Sequence, residues 1–433
     1  MRYDMNLPLH LLPALRLIPS AWLEYMIDRM ARNHIVRLYL LRRDMQRVRI
    51  AKEVQSVICI ADVNLGDAVN FQPVADILRA HLPECTIDYV CNRTAAPLVA
   101  NNPAIRHCIP VFDGQFTPLS EETEVISRLL ADGNYDLALS FCPFLSDRAF
   151  AKSECPVIGP VRFARSILAE VLGDSGGSAS LGENLGKYVD ELGGTLSQYS
   201  SSLDCSEEPF HPELYLTETA VAGRDRWMHE RGIDIDKRTV IFNPDASNRY
   251  NLVDEPLQSD ILRRILRSSL CEQLLMAHCF ACEGVDQRVL SSLPVSLRQK
   301  VTLIPSDLPI DAYVALLDVA RVYVSGDTGP VHLAAARKIS THDGIRFRNR
   351  TGLCTIFGPT LPEIYGYDSH RAAYADSAQD APARVFQGRC PHKTICCSLA
   401  RISEQCERRE CFYGISGDTI ADYVLGLLAQ ETT

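Results

Sequence analysis

The residues best suited to chemistry stand together in residues 324–336, where a strand-like run passes through a polar, glycine-containing turn into a helix start. Backbone N–H groups at a helix start can bind an anion, and the helix dipole adds partial positive charge. Gly326 and Gly329 would let the backbone approach a ligand closely, Asp327 could accept hydrogen bonds from hydroxyl groups, and His332 follows one turn into the helix. The segment predicts a phosphate-binding site. The alternative is an ordinary strand-to-helix turn whose polar side chains cap the helix.

The same segment resembles the most diagnostic motif of the family 9 glycosyltransferases, the ADP-heptose:lipopolysaccharide heptosyltransferases, in which it contacts the nucleotide-sugar donor. Three further segments resemble motifs of that family in the same order. They are a first loop, a turn that the family writes histidine-proline-glycine-alanine-serine, and a phenylalanine-glycine-proline-threonine loop, at residues 61–67, 242–247 and 356–363. The chain is identified as family 9-like by four ordered matches across roughly residues 54 to 430.

Alternating strand-like and helix-length segments predict the elements that would position these motifs, in the pattern of open parallel sheets. The resemblance implies an α/β fold with GT-B architecture, in which two Rossmann-like parallel-sheet domains face a cleft. The predicted divisions are a basic amphipathic helical leader (1–53), an N-terminal acceptor domain (54–200), a linker region (201–235), a C-terminal nucleotide-sugar donor domain (236–415) and a C-terminal helix (416–433).

Within this frame, the sequence predicts one helix from residue 68 to 81 in the first domain and a helix from 259 to 270 in the second. Ligand sites of parallel α/β sheets lie at the carboxyl ends of the strands. We therefore expect the turns that begin at Asn243 and Asp327, and the loop at Gly358, to lie along one edge of the second sheet.

Sugar transfer with inversion requires a base for the acceptor hydroxyl and positive potential for the departing nucleoside diphosphate. The resemblance implies Asp67 as the catalytic base, with helix capping as its alternative role. It implies Arg249 as the cation for the diphosphate, although the tryptophan-proline pair that often follows in the family is absent. Glu283 loosely matches an acidic residue near the nucleoside, or is a solvated helix start. The predicted donor-binding residues are Asn243, Ser247, Arg249, Glu283, Asp327, Thr328, Gly329 and His332.

A basic insertion follows the main motif. The family usually passes through a very short turn into the next strand, whereas residues 337–353 of this chain carry five basic side chains: Arg337, Lys338, Arg346, Arg348 and Arg350. Such a run is ordinarily a solvated loop. Beside a cleft it could instead contact an acidic acceptor or donor phosphates.

Length and charge limit the class of protein. A chain of 433 residues, 46% of them hydrophobic, can form two or three domains. The net charge of -10 argues against broad nucleic-acid binding, because phosphate backbones are held mainly by lysine and arginine.

The leader has the opposite charge to the rest of the chain. Ten basic and four acidic residues lie within residues 1–52, and apolar residues recur among the arginines as in amphipathic helices. These helices could lie on an anionic membrane, dock on the first domain or join subunits of a homo-oligomer. Prolines interrupt the early apolar run, which argues against a secretory signal or a spanning helix. We expect a cytoplasmic protein, with the inner face of the membrane as a further option.

Sixteen cysteines are diluted over this large chain, and most should be reduced. Five of them, Cys59, Cys85, Cys91, Cys108 and Cys142, fall in or beside apolar strand-like runs and should behave as small buried hydrophobes. A C-terminal cysteine cluster within residues 390–411 lies instead in a polar stretch and comprises Cys390, Cys396, Cys397, Cys406 and Cys411. Four of these thiolates could hold structural zinc or iron. Some family 9 members, notably autotransporter heptosyltransferases, resemble this chain in having such a finger. Free or disulfide-prone thiols are the alternative.

The predicted activity is therefore inverting transfer of a sugar, with heptose from ADP-heptose as the leading donor, to a lipopolysaccharide-type or related glycolipid, glycan or protein acceptor. Catalysis itself should need no metal. Two other functions remain open. One is a nucleotide-sugar epimerase of GT-B shape, whose usual serine-glycine-glycine phosphate turn is absent here. The other is a catalytically inactive nucleotide-sugar-binding or assembly protein.

Overall fold

A computed structural model describes residues 54–61, 64–113, 119–140, 142, 149, 155, 157–158, 213–246, 251–279, 282–338, 352–358, 383–388 and 410–430. These residues form two parallel sheets with helices, which confirms the predicted α/β class and GT-B architecture. Among them, no helix is both long enough and apolar enough to cross a bilayer. The leader lies outside the described residues, so its predicted contacts stay predictions.

The central strands of the first sheet, β1, β2 and β4, are built from runs whose side chains are almost all buried, as expected for parallel strands covered on both faces. Its strands lie in the order β3-β2-β1-β4-β5. Because β2 and β4 lie on opposite sides of β1, the strand order reverses there. The strands are β1 (Ser56–Ile60), β2 (Thr86–Asn92), β3 (His107–Phe112), β4 (Leu137–Ser140) and β5 (Val157–Ile158). The helices are α1 (Leu65–Asn70), α2 (Pro73–His81), α3 (Ala96–Val99) and α4 (Ser120–Asp132).

The prediction of a single helix over residues 68–81 is wrong, both in where the helix starts and in its being continuous. The chain instead forms α1 from Leu65 and a separate α2 from Pro73. Pro73 has no N–H group to continue the hydrogen bonds of α1, and its fixed φ suits the first turn of a new helix. The helix expected from residue 259 likewise begins earlier, at Glu255, with a proline in its first turn.

The second sheet has the strand order β11-β10-β9-β6-β7-β8, and all its pairings are parallel. Its order reverses at β6, between β7 and β9. The strands are β6 (Thr239–Asn243), β7 (Gln273–Ala277), β8 (Val301–Ile304), β9 (Val322–Gly326), β10 (Leu353–Phe357) and β11 (Ala383–Gln387). The helices are α5 (Glu218–Arg231), α6 (Glu255–Arg267), α7 (Val285–Ser291), α8 (Val295–Arg298), α9 (Ile310–Leu317), α10 (Gly329–Lys338) and α11 (Gly417–Ala429), with a 3₁₀ turn at Glu410–Phe412.

Apolar side chains join the two halves. Val69 of α1 and Leu98 of α3 belong to the same buried cluster as Val331 of α10 and Leu316 of α9. Burial of such side chains away from water is favourable by roughly 1.5–3 kcal/mol each. The cluster therefore holds the start of α10 close to the first domain.

Arg337 corrects the interpretation of the basic insertion. It lies near the end of α10, is 2% exposed, and forms a two-bond ion pair with Asp318, whose Oδ1 accepts from its Nε at 2.8 Å. Its Nη1 also donates to the carbonyl of Leu214 at 2.6 Å. Arg337 is therefore part of the fold rather than of a solvated loop, while Arg346, Arg348 and Arg350 lie outside the described residues.

The cysteines expected in the core are largely where the sequence predicts them. Cys59, Cys85, Cys91 and Cys142 are buried, whereas Cys108 is partly exposed, with its Sγ 3.5 Å from that of Cys91. Burial raises the pKa of Cys85 to about 11, which keeps its thiol protonated at neutral pH.

We expect Asp76, in the first turn of α2, to make stability depend on pH. Burial, with the nearby charge of Glu213, raises the pKa of Asp76 to about 7, although Asn102 donates a hydrogen bond to the carboxylate. The folded pKa lies above the unfolded one, so this contribution to stability is complete below about pH 4 and is lost as pH rises through about 7. The free energy of unfolding of Asp76→Asn, relative to that of wild type, should therefore be higher at pH 8 than at pH 5. Urea unfolding of both proteins at both pH values measures this difference. The same difference at pH 5 and pH 8 would contradict the prediction.

Candidate functional site

The starts of two helices, one from each domain, meet at the candidate site. A Cβ atom added to Gly66 of α1 would lie 2.7 Å from Cδ2 of His332 and 3.0 Å from Cα of Gly329, both in α10. A side chain at Gly66 would force the His332 ring to shift and would press tightly on the Gly329 backbone, so glycine favours this close approach. The first loop and the main motif, more than 250 residues apart in sequence, are therefore in direct contact.

Substituting Gly66 with alanine should disturb this contact selectively. The added Cβ would displace the buried ring of His332 and press on the Gly329 backbone, so we expect a loss of about 1–3 kcal/mol in stability and weaker nucleotide binding. Gly426→Ala is the matched control, because a Cβ in that exposed turn of α11 meets no atom within 4 Å. The control should be neutral or stabilising by up to about 1 kcal/mol. Thermal unfolding and calorimetric titration measure both variants, and equal behaviour would refute the contact.

The turn between β9 and α10 buries polar side chains. Asp327, Thr328 and His332 are all buried, and Oδ2 of Asp327 accepts a hydrogen bond from Nδ2 of Asn251 at 3.0 Å. Gly326 allows this approach, since an added Cβ would lie 3.3 Å from the carbonyl oxygen of Asn251. The amide of Asn251 thus fixes the Asp327 carboxylate. Sequence reasoning missed Asn251, and its only signal was its position shortly after the alanine-serine turn.

A second hydrogen bond crosses the point where the strand order reverses. Asn243, the last residue of β6, donates from Nδ2 to Oγ of Ser325 in β9 at 3.1 Å. Behind it, the hydroxyl groups of Tyr323 and Tyr313 lie 3.2 Å apart, and burial raises the pKa of Tyr313 to about 12. These groups are neutral, so they shape the crevice without adding charge. Parallel α/β sheets bind ligands in this kind of crevice.

The turn after β6 is itself held in place. Oδ1 of Asp245 accepts hydrogen bonds from the backbone N–H groups of Ala246 and Cys282, each at 2.9 Å. Sγ of Cys282 donates to the carbonyl of Ala246 at 3.5 Å. The loop between β7 and α7 is therefore fastened to the turn after β6.

The structure places Asn243 at the end of β6, and Asp327, Thr328, Gly329 and His332 in the turn after the neighbouring β9 and in the first turns of α10. Glu283 is exposed on the β7–α7 loop. Asp67 lies in α1 directly after Gly66, so its backbone is at the contact, but its side chain lies outside the description. Ser247, Arg249 and residues 359–363 also lie outside the described residues.

The C-terminal cysteine cluster is described only at Cys411, which is buried. Cys390, Cys396, Cys397 and Cys406 lie outside the described residues. Over the ranges that the structure covers, no group of three or more His, Cys, Asp or Glu side chains is arranged to hold a metal ion.

Solved structures share this arrangement of domains. A family 9 glycosyltransferase from Veillonella parvula DSM 2008 superposes with a TM-score of 0.64 at 15% identity, covering 88% of this chain and 98% of its own. ADP-heptose lipopolysaccharide heptosyltransferase II from E. coli superposes with a TM-score of 0.59 at 16% identity, and the match covers 86% of this chain and 98% of that one. E. coli heptosyltransferase WaaC with ADP-2-deoxy-2-fluoro heptose superposes with a TM-score of 0.52 at 15% identity, and the match covers 86% of this chain and 99% of that one.

By sequence, no protein-family model and no curated protein matches this chain. Identities of 15–16% establish similarity of fold and no more. The chain has the two-domain GT-B fold found in family 9 glycosyltransferases and heptosyltransferases.

Proposed function

We propose that this protein is an inverting glycosyltransferase that moves a sugar from a nucleotide-sugar donor to an acceptor hydroxyl. The observation that supports it most directly is the contact between Gly66 and the start of α10, because it joins the candidate base loop to the candidate phosphate turn. Heptose from ADP-heptose is the donor we propose first, and a lipopolysaccharide-type or related glycolipid, glycan or protein is the acceptor. The heptosyltransferases of similar fold support this order of testing.

The reaction assigns a step to each part of the site. The acceptor oxygen attacks the anomeric carbon, the bond from that carbon to the diphosphate oxygen breaks, and the acceptor proton passes to the Asp67 carboxylate. The positive end of the α10 helix dipole, together with Arg249, stabilises the negative charge that develops on the diphosphate. The remaining donor-binding residues, Asn243, Ser247, Glu283, Asp327, Thr328, Gly329 and His332, hold the nucleotide sugar.

The direct test supplies purified protein with ADP-heptose and with UDP- and GDP-sugars, and measures release of nucleoside diphosphate. We expect release with at least one donor, and weaker donor binding in Asp327→Ala and His332→Ala. Nucleotide binding without turnover would favour the inactive binding protein. Interconversion of the donor sugar without release would favour the epimerase.

The cysteine cluster is proposed to hold one structural zinc or iron ion through four of Cys390, Cys396, Cys397, Cys406 and Cys411. In support, the N–H of Gly388 donates to the carbonyl of Cys411 at 2.9 Å. Cys390 follows Gly388 by two residues, a span of at most about 7 Å of extended chain. The two ends of the cluster are therefore within reach of one ion.

Metal analysis should find about one zinc or iron per chain. Replacing Cys406 and Cys411 together with serine should remove the ion and lower the melting temperature, because binding free energy is also folding free energy. Cys271→Ser, at a partly exposed thiol before β7, is the matched control and should keep the ion. Absence of metal from the wild-type protein, together with an unchanged melting temperature of the double variant, would favour free thiols.

A further inference from the structure

Two thiol groups are in contact on neighbouring strands of the first domain, and the proposed chemistry does not use them. Sγ of Cys91, in β2, lies 3.5 Å from Sγ of Cys108, in β3. Cys91 is fully buried, whereas Cys108 is partly exposed. A small oxidant in the solvent can therefore reach one sulfur of the pair, and the second sulfur already touches the first.

The contact makes the two sulfurs chemically different. A thiolate, rather than a thiol, is the nucleophile in cysteine oxidation. When Cys108 ionises, the Cys91 thiol is the donor of the S–H···S hydrogen bond, and this bond lowers the pKa of Cys108. The same contact, together with burial, raises the pKa of Cys91. Cys108 is thus the sulfur that ionises and meets an oxidant first, while Cys91 remains a thiol beside it.

The strand register decides how the two sulfurs can join. Tyr89, rather than Cys91, lies opposite Cys108, so the cysteines are diagonal neighbours on one face of the sheet. An S–S bond of about 2.05 Å requires the sulfurs to approach by about 1.5 Å from their separation of 3.5 Å. In the part of the chain that the structure describes, β3 is at the edge of its sheet and pairs with β2 alone. It can therefore shift along β2 without disturbing a second strand pairing.

A shift of β3 would act on α3. Sγ of Cys108 donates to the carbonyl of Ala96, the first residue of α3, at 3.7 Å, and oxidation of the thiol removes this hydrogen. On the β2 side, Asn92 directly follows Cys91, and its Oδ1 accepts from the N–H of Ala95 at 2.8 Å. The thiol pair is therefore linked to both attachments of the turn that leads into α3. This helix in turn packs on α9 of the second domain.

We propose that Cys91 and Cys108 are a peroxide-sensitive thiol pair, whose oxidation to a disulfide displaces α3 and weakens its contact with the second domain. The inference goes beyond the proposed function, because neither cysteine belongs to the candidate site. Because the bond closes only when β3 moves from its present register, a dithiol should reduce it readily.

The oxidation has two steps. The Cys108 thiolate attacks one oxygen of hydrogen peroxide, the O–O bond breaks, and the departing hydroxide takes up the proton that Cys108 had lost. The products are one water and a sulfenic acid at Cys108. The sulfur of Cys91 then attacks the Cys108 sulfur, the S–O bond breaks, and the departing hydroxide takes the Cys91 proton to form a second water. Two thiols are oxidised to one disulfide while one peroxide is reduced to two waters.

Peptide mapping of the full-length protein tests the bond. The protein is reduced, freed of reductant, treated with hydrogen peroxide, blocked with iodoacetamide, and digested with trypsin and chymotrypsin. Cleavage after Tyr89 separates Cys91 from Cys85, which otherwise share one tryptic peptide. We expect a linked pair of peptides that contain Cys91 and Cys108. The link should be absent from protein kept reduced, and dithiothreitol should remove it.

Three variants assign the sulfurs. Cys108→Ala should give no link, and Cys91→Ala should leave Cys108 as a sulfenic acid that dimedone labels. Cys85→Ala is the matched control, because Cys85 is buried near the start of β2 and burial raises its pKa to about 11, so this variant should keep the link. If peroxide gives no link between Cys91 and Cys108 in wild type, the pair is refuted, and that result depends on no variant being folded.

Hydrogen exchange measures the effect on α3. The backbone N–H groups of residues 98–100 donate to the carbonyls of Ala95 and Ala96. They should exchange several-fold faster in oxidised than in reduced wild type, whereas peroxide should leave exchange in Cys108→Ala unchanged. Unchanged exchange in the linked protein would overturn the effect on α3. Neither readout uses a nucleotide, so failure of the thiol pair leaves the proposed function standing, and failure of the proposed function leaves the thiol pair standing.

Discussion

Asp67→Asn is expected to lower kcat by about 100-fold or more while leaving donor affinity nearly unchanged. Asparagine has almost the same size as aspartate, and Asp67 is the third residue of α1 rather than its N-cap, so α1 should keep its start beside α10. An amide cannot take the proton of the acceptor hydroxyl, so only the chemical step should suffer. Single-turnover transfer with the donor that the release assay identifies measures the chemical step, and calorimetric titration measures donor affinity.

The same substitution decides between the two roles of Asp67. If the carboxylate only stabilises the first turn of α1 through the helix dipole, asparagine would largely preserve activity and the base would have to be another residue. Asp418→Asn is the matched control, because Asp418 lies in the first turn of α11, away from the contact between the domains. We expect its kcat to equal that of wild type.

Arg337→Ala is expected to destabilise the protein by about 3–5 kcal/mol, the range for breaking a buried ion pair. The substitution leaves the carboxylate of Asp318 buried without its two charge-assisted hydrogen bonds, and it frees the carbonyl of Leu214. Because Arg337 joins α10 to the segment before α5, the start of α10 should also become less well held. Urea unfolding at pH 7 measures the free energy, and nucleotide titration measures the effect on the site.

Two further variants interpret that result. The double variant Arg337→Met/Asp318→Leu should recover much of the stability, because it removes both charges from the interior. Arg264→Ala breaks an exposed pair with Asp422 between α6 and α11 and should have little effect. A loss in Arg337→Ala no larger than in Arg264→Ala would mean that the pair contributes nothing beyond a surface contact.

The α/β class and most strands could be predicted because their signals are local. Runs such as Val57 to Ile60 and Thr239 to Phe242 are continuous and apolar, as parallel strands buried on both faces must be, and the structure places strands at both. Helix boundaries were less accurate. Pro73 divides the expected long helix because a missing N–H group, rather than the apolar pattern, determines where a helix begins.

Charged and polar residues were harder to place from the sequence, because their burial depends on partners that are distant along the chain. The sequence places Arg337 in a basic loop, and only the structure shows its hydrogen bonds to Asp318 and Leu214. Asn251 has no motif of its own, and only its contact with Asp327 relates it to the site. The carboxylates and amides that orient a ligand group are chosen by geometry across the fold.

The sequence by itself determined the α/β class of this protein and the sheet edge at which its motif turns lie. Glycine-containing turns after apolar strands must lie at the carboxyl edge of a parallel sheet, so the Asp327 turn and the loop before Asp67 could be located without coordinates. Only the tertiary structure decided that Gly66 touches Gly329 and His332, and that Asn251 donates a hydrogen bond to the carboxylate of Asp327. Such contacts depend on how two separately folded sheets dock, which is fixed by the shape and burial of side chains from both domains rather than by any local pattern.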